Sequence, residues 1–135
     1  MSNILQLAEV PNALVFVDLR FAAGLSPNTL AAAEIGLRGS WHAVCVRVDE
    51  TLIGMGRIIG DGGCCFQVVD IAVHPDYQGR GLGYQIVEAL MRYLHDNAPK
   101  SVYVSLIADG DAHRLYSKFG FEFTAPASVG MALRL

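Results

Sequence analysis

The chain is poor in cysteine, and the few cysteines it has argue against two kinds of site. There are three, Cys45, Cys64 and Cys65, which is an odd number without a CxxC pair. This arrangement argues against a disulfide framework and against a zinc site. We interpret all three as buried thiols on strands. The four histidines show neither HxH nor HxxxH spacing, so the sequence predicts no metal site.

Long hydrophobic runs and an excess of basic residues are also missing. No apolar stretch reaches the length of a membrane span. The N-terminal residues MSNILQLAEVPNAL lack the basic start and long apolar core of a secretory signal. The formal net charge of −3 at pH 7 is opposite in sign to that of a general nucleic-acid binder. We therefore expect a cytoplasmic protein that has neither a nucleic acid nor a membrane as its partner.

The residues that are present are typical of one globular domain. The 135 residues are 53% hydrophobic and 17% charged. This length suffices for a hydrophobic core, and the composition is too apolar for a disordered chain. We expect a single domain over residues 1–135.

In the first half of the chain, the pattern predicts a strand over residues 4–10 and a helix over residues 12–23. Ser26 is the expected N-cap of a second helix, with Pro27 at its first position and Gly36 at its end. Alternating apolar residues then predict a hairpin over residues 41–59. The next β-rich segment, residues 64–73, ends at a His-Pro pair.

The second half predicts a helix over residues 81–97, a strand over 101–108 and a short helix over 111–120. Two closing strands, FEFTA and VGMALRL, end the chain. A strand–helix–strand order implies a right-handed crossover between two parallel strands. The expected fold is therefore α/β, with a mixed and largely antiparallel sheet.

Three glycines fall within six residues, Gln78-Gly79-Arg80-Gly81-Leu82-Gly83, at the start of the helix over residues 81–97. The N-terminus of a helix presents unpaired backbone N–H groups and the positive end of the helix dipole. Glycine permits left-handed backbone angles and close approach of a ligand. Together with the charge of Arg80, this arrangement predicts a phosphate-binding loop.

Two familiar phosphate motifs do not fit this loop. GxGxxG requires a glycine where Tyr84 stands, and no GK[ST] follows for a P-loop. The loop instead matches Q/R-x-x-G-x-G/A and resembles the acetyl-CoA loop of the GNAT superfamily of N-acetyltransferases. About thirty residues later, AHRLYSKFGF resembles the A-x-x-L-Y-x-K-x-G-F segment of the same family. The order of the predicted elements is also similar to that of the family.

The resemblance implies a single-domain GNAT fold with about six to seven strands and about four helices. Two parallel strands splay apart in this fold to form a slot for acetyl-CoA. The first strand of the pair would hold the pantetheine arm through its backbone, and the glycine loop would hold the pyrophosphate. The cofactor-binding residues so implied are Ile71, Ala72, Val73, Gln78, Gly79, Arg80, Gly81, Leu82 and Gly83. Asp109 stands where many relatives carry an asparagine that contacts pantetheine, and Ser105 and His113 are alternatives for that contact.

The resemblance also implies the catalytic groups. Tyr116 matches the tyrosine that protonates the departing sulfur, and an unperturbed phenol, with a pKa of about 10, keeps its proton at neutral pH. Relatives often place the carboxylate that acts as general base at positions that are occupied here by Gln67 and Val69. Asp70 should face the opposite side of the strand unless a bulge turns it, so it is a hydrogen-bonding residue or the base. Glu34 and a water relay are the alternatives.

The implied activity is direct transfer of an acetyl group from acetyl-CoA to a primary amine. A small-molecule acceptor is favoured because 135 residues leave little chain beyond the family's core. The alternatives are an acetyltransferase for protein or peptide amines and a non-catalytic CoA-binding sensor. Residues that could line the acceptor pocket are Arg20, Trp41, Phe66 and Tyr77. A homodimer could form through the closing strands.

Overall fold

The computed structural model describes residues 3–135. The strands are β1 (Ile4–Leu7), β2 (His42–Val48), β3 (Thr51–Gly60), β4 (Cys65–Val73) and β5 (Tyr103–Ser105). The helices are α1 (Ala13–Ala22), α2 (Leu30–Leu37), α3 (Leu82–Asn97) and α4 (His113–Ser117). Two short 3₁₀ turns occupy Pro75–Tyr77 and Gly110–Ala112. No helix in this part of the chain is long and apolar enough to span a membrane.

The five strands form one mixed sheet in the order β1-β2-β3-β4-β5. The first three pairings are antiparallel, and β4 pairs with β5 in parallel. The predicted hairpin and the parallel pair across α3 are confirmed. The predicted number of strands is wrong, because the sheet described over residues 3–135 ends at β5.

The two closing strands are the missing ones. Residues 121–135 contain no strand, and their apolar side chains are largely exposed, including Phe123 at 74% and Met131 at 90%. An apolar pattern supplies strand propensity, but a strand also requires a neighbour for its backbone hydrogen bonds. No ladder forms for this segment within residues 3–135, so local pattern alone gave the wrong structure.

Helices cover both faces of the sheet. On one face, α3 buries Ile86, Leu90 and Leu94 against side chains of β2, β3 and β4. These helix residues recur at intervals of four, which is the spacing of a single apolar stripe. On the other face, α1 and α2 bury a second core in which Phe16 and Leu37 pack near Met55. The sheet is thus the middle layer of three.

The start of α2 differs from the prediction. Thr29 is its N-cap, and the Thr29 Oγ1 accepts a hydrogen bond from the backbone N–H of Ala32 at 3.1 Å. Ser26 was expected in this role, but its carbonyl and hydroxyl oxygens accept hydrogen bonds from the guanidinium of Arg20. Both residues are good caps, and a contact with α1 decides between them.

Candidate active site

A β-bulge shapes the middle of β4. Met55 pairs with Ala72 and Arg57 pairs with Val69, so Asp70 and Ile71 lie opposite the single residue Gly56. Asp70 takes a left-handed conformation with φ of 59°. Such a bulge bends the strand and redirects its side chains. The bulge considered from the sequence is therefore present.

The bulge requires a glycine on the neighbouring strand. A Cβ added at Gly56 would lie 2.6 Å from Cδ1 of Ile71, 2.7 Å from Cγ2 of Ile86 and 2.9 Å from Cδ1 of Leu90. These separations are shorter than ordinary van der Waals contact. Gly56 thus leaves room for the Ile71 side chain, which the bulge turns toward α3.

The carboxylate of Asp70 is shared by two arginines. Its Oδ1 accepts a hydrogen bond from Nη1 of Arg20 on α1, and its Oδ2 accepts one from Nε of Arg57 on β3 at 2.7 Å. All three side chains are about one-tenth exposed. Each carboxylate oxygen is therefore occupied by a guanidinium, which argues against Asp70 as the base and favours its hydrogen-bonding role.

From Val68 onward, which is before the bulge, β4 has no ladder partner on its β5 side. The parallel ladder joins only Cys65, Phe66 and Gln67 to β5, whereas β4 continues to Val73. The Gln78 Nε2 donates a hydrogen bond to the carbonyl of Val73 at 2.9 Å, which ties the end of β4 to the glycine loop. The separation of the two strands leaves a slot between them.

The glycine loop is open above the start of α3. Gly79 and Gly81 have φ of 77° and 79°, and a Cβ built on either would meet nothing within 4 Å. Gly81 is the N-cap of α3 and offers no side chain to its free N–H groups. Leu82, the first residue of α3, is buried. The exposed N–H groups and the left-handed glycines form a cradle that a pyrophosphate would fit.

Arg80 is exposed in this loop. Its guanidinium stands 5.1 Å from the centre of the Tyr77 ring and donates a long hydrogen bond of 3.4 Å to the carbonyl of Asp76. The charge of Arg80 therefore remains near the cradle, and Tyr77 supports Arg80 instead of lining an acceptor pocket.

A cleft of about 480 Å³ opens between β4, the end of β5 and α4. The lining residues are Arg20, Leu25, Ser26, Gln67, Val68, Val69, Asp70, Ile71, Ile107, Asp109, Ala112, Tyr116 and Arg134. The cleft brings together Tyr116, Asp70, Ile71 and Asp109 from the predicted site. Arg134 was missed because its position in the cleft depends on the path of the C-terminal segment, which no local pattern indicates.

Tyr116 is buried, and burial raises the pKa of its phenol above the usual value. The negative charge of Asp109 raises this pKa further. The phenol therefore keeps its proton at neutral pH and can act as a donor.

Residues 40–123 match the family of the acetyltransferase (GNAT) domain. This match spans more than half of the chain. The chain belongs to the GNAT superfamily. Its glycine loop and Tyr116 lie on the elements that the resemblance assigned to them.

Similar proteins are known in several organisms. A Staphylococcus aureus protein of unknown function, named a probable acetyltransferase, is 46% identical to this chain and has a TM-score of 0.94 against it. The match includes 98% of this chain and 100% of the Staphylococcus aureus chain. Histone acetyltransferase TAP1 of Glycine max is 31% identical over 112 residues, which are 83% of this chain and 47% of the relative. A chloroplastic GNAT protein of Arabidopsis thaliana is 36% identical over 83 residues, which are 62% of this chain and 31% of the relative. This GNAT chain thus spans less than half the length of these two curated plant relatives.

Other predicted residues of this GNAT domain lie elsewhere. Glu34 lines a separate depression beside Pro11 and Arg38 and is not among the cleft residues. Trp41 and Phe66 pack together in the core, with ring centres 4.3 Å apart. Of the four residues expected to line an acceptor pocket, Arg20 lies among the residues of the cleft, and the other three do not.

Two further predictions concern small polar groups. Ser105 pairs with Gln67 in the parallel ladder, and the His113 ring lies 5.1 Å from that of Phe123. Neither residue lines the cleft, so of the three candidates only Asp109 lies where a pantetheine arm could be contacted.

The prediction for the cysteines is wrong in part. Cys45 is buried on β2, whereas Cys64 and Cys65 are exposed at the β3–β4 turn. The turn leaves these thiols outside both cores because Asp61 folds the backbone back, accepting hydrogen bonds from the N–H groups of residues 63–65. No cluster of metal-ligating side chains occurs among the described residues 3–135.

Proposed function

We propose that this GNAT domain transfers an acetyl group from acetyl-CoA to a primary amine. The observation that carries the proposal is the open, glycine-lined start of α3 beside a cleft that holds a protonated phenol. When bound, acetyl-CoA supplies an activated thioester carbonyl. Ile71, Ala72 and Val73 would hold the pantetheine arm, and residues 78–83 would hold the pyrophosphate.

Tyr116 is proposed as the general acid. A leaving thiolate needs a proton, and the raised pKa of Tyr116 keeps that proton available at neutral pH. The position of Tyr116 in the cleft, next to the unpaired stretch of β4, supports this role.

Asp109 is proposed to attract the acceptor. Amines are protonated at neutral pH, and a carboxylate in the cleft attracts the ammonium form. The bound ammonium then loses a proton through a water relay, and the neutral amine attacks the thioester carbonyl. The Asp109 carboxylate has no hydrogen-bond or ion-pair partner in the described part of the chain, whereas that of Asp70 has two. Asp109 is thus free to contact an amine, in addition to the contact with pantetheine expected from the sequence.

We favour a small amine over a peptide as the acceptor, as expected from the sequence. A volume of about 480 Å³ is within the range of small-molecule sites. The name of the Glycine max relative, histone acetyltransferase, is the observation that favours the alternative, a protein lysine. The cytoplasmic location and the homodimer stay predictions.

The test is release of free thiol from acetyl-CoA against a panel of acceptors. The panel contains arylalkylamines, polyamines, amino sugars, amino acids and a lysine peptide. We expect release with a small amine and little with the peptide. Release with the peptide alone would move the assignment to a protein acetyltransferase. Binding of acetyl-CoA without release would favour the sensor, and absence of binding would overturn the proposal.

A further inference from the structure

The buried ion cluster around Asp70 contains two cations and one anion. Arg20 and Arg57 approach the two oxygens of the same carboxylate from α1 and β3. Both guanidinium groups also lie near the Phe16 ring, at 5.8 and 5.5 Å from its centre. Two arginines that are about one-tenth exposed depend on Asp70 as their shared counter-charge.

The cluster also joins separate parts of the fold. Arg20 donates hydrogen bonds to the carbonyl oxygen of Ser26, in the loop between α1 and α2. Arg57 donates to the carbonyl of Gly36 at 3.2 Å and to the Oγ of Ser40 at 2.9 Å. The two arginines therefore link the α1–α2 layer and the turn before β2 to the carboxylate of one residue of β4.

That residue is where β4 changes direction. Asp70 has a left-handed backbone, with Ile71, Ala72 and Val73 directly after it. A non-glycine residue seldom adopts this conformation and keeps it where its surroundings hold it. The two arginines hold the Asp70 side chain in place.

We propose that Asp70 is a positioning residue that fixes the β4 bulge and so sets the orientation of the Ile71–Val73 backbone toward acetyl-CoA. This inference rests on the proposed function. It assigns no proton transfer to Asp70, because both of its oxygens are occupied. The Arg20–Asp70–Arg57 cluster thus acts on the cofactor through the strand.

Asp70→Asn provides the test, and Asp49→Asn is the matched control. Asp49 is also an aspartate with a left-handed backbone, at φ of 54°, but it is exposed in the β2–β3 turn. Asparagine tolerates this conformation, so both variants keep the backbone preference, and only Asp70→Asn removes the shared counter-charge. The measurements are the Kd of acetyl-CoA by calorimetry, kcat and KM with an amine acceptor, and Tm.

We expect Asp70→Asn to raise the Kd of acetyl-CoA by about tenfold or more, measured well below its Tm, and Asp49→Asn to leave it unchanged. A Kd within about threefold of wild type would overturn the inference. If kcat fell in that case, Asp70 would be a base, and if only Tm fell, its role would be structural. Failure of the wild type to bind acetyl-CoA would instead overturn the proposed function, and this inference with it.

Arg57→Gln serves if Asp70→Asn does not fold. This variant leaves one cation, Arg20, opposite one anion, so no buried charge loses its only partner. The variant still removes the hydrogen bond from Arg57 on β3 to the Asp70 carboxylate in the bulge. We expect a smaller rise in the Kd of acetyl-CoA, about fivefold, with kcat less affected. An unchanged Kd in this folded variant would also overturn the inference.

Discussion

Two carboxylates line the same cleft, and their neighbours give them different chemistry. Asp70 is bound through both oxygens by arginines, whereas Asp109 has no side-chain partner among residues 3–135 and lies close enough to Tyr116 to raise its pKa. The residue type alone could not separate them: the sequence left Asp70 as either a hydrogen-bonding residue or the base, and it assigned Asp109 to a contact with pantetheine. The arginines on α1 and β3 that decide the matter are distant in sequence.

Tyr116→Phe tests the general acid. Loss of the hydroxyl removes the proton donor but leaves the buried ring, so we expect turnover to fall by about 10² to 10³ while the Kd of acetyl-CoA changes by less than about twofold. Steady-state thiol release and calorimetry measure the two quantities. Tyr103→Phe, the same change at an exposed position on β5, should be silent. Equal turnover of Tyr116→Phe and wild type would remove Tyr116 from the mechanism.

Asp109→Asn tests the attraction of the acceptor. Removal of this charge should raise the KM of a cationic amine by about threefold to fivefold at low salt, and by less as ionic strength screens the interaction. Asp111→Asn removes a nearby exposed charge that does not line the cleft, and its KM should equal that of wild type. The salt dependence of KM for the three proteins is the measurement. A parallel rise in KM for both variants would contradict a specific role of Asp109.

At the scale of secondary-structure elements, glycine positions carry much of the site. Gly79 and Gly81 keep the start of α3 open, and Gly56 makes room for the bulge opposite it. The first two were found from sequence because their spacing is local and their helix is strongly amphipathic. The need for Gly56 was invisible there, since it arises from contacts with Ile71, Ile86 and Leu90 on two other elements.

Gly81→Ala tests the cradle, with Gly62→Ala as its control. Both glycines have left-handed backbones, at φ of 79° and 83°, and both have open space where a Cβ would be. Each variant should therefore lose about 1 kcal/mol of stability. Only Gly81→Ala should raise the Kd of acetyl-CoA, by about tenfold, because its methyl group projects into the proposed phosphate site. Equal affinities of the two variants would show that the loop does not hold the phosphates.

Gly56→Ala tests the packing of the bulge. The added methyl group meets three core side chains below 3 Å, so we expect a loss of about 1–3 kcal/mol in the free energy of unfolding. Gly36→Ala, in α2 with nothing within 4 Å of its Cβ, should instead gain about 0.5–1 kcal/mol. Urea unfolding measures both. The expected result is a lower free energy of unfolding for Gly56→Ala and a higher one for Gly36→Ala. A lower free energy of unfolding in both variants would contradict the assigned packing.

The order of elements was more predictable than their ends. The β2–β3 hairpin and α3 follow from local patterns, and the parallel pair of β4 and β5 follows from the strand–helix–strand order. The N-cap of α2 is Thr29 instead of the predicted Ser26, because Ser26 accepts hydrogen bonds from Arg20. The prediction of the two closing strands was wrong because it, too, depended on contacts that are distant in sequence. Phe123 and Met131 fit a strand pattern, but strand formation depends on a neighbour that the pattern does not specify.

At the scale of the whole molecule, the sheet separates two cores, and Cys45 belongs to the one beneath α1 and α2. Its side chain is fully buried, and its thiol donates a hydrogen bond to the carbonyl of Glu9 at 3.3 Å. Burial raises the pKa of Cys45 to about 11, the negative charge of Glu9 adds to this rise, and Arg47 opposes it. The folded state therefore disfavours the thiolate.

This pKa makes global stability depend on pH in the alkaline range. Between the ordinary thiol pKa of 9.0 and the folded value of about 11, the unfolded chain loses this proton first. The free energy of unfolding should therefore fall as pH rises through this window, by about 2 kcal/mol from this group, and be unaffected by it below pH 9. Urea unfolding of Cys45→Ala should show a shallower decline over the same window, whereas Cys64→Ala, at an exposed position, should follow wild type. A decline as steep in Cys45→Ala as in wild type would assign the loss of stability to other groups, of which Tyr116, with its raised pKa, is the first to test.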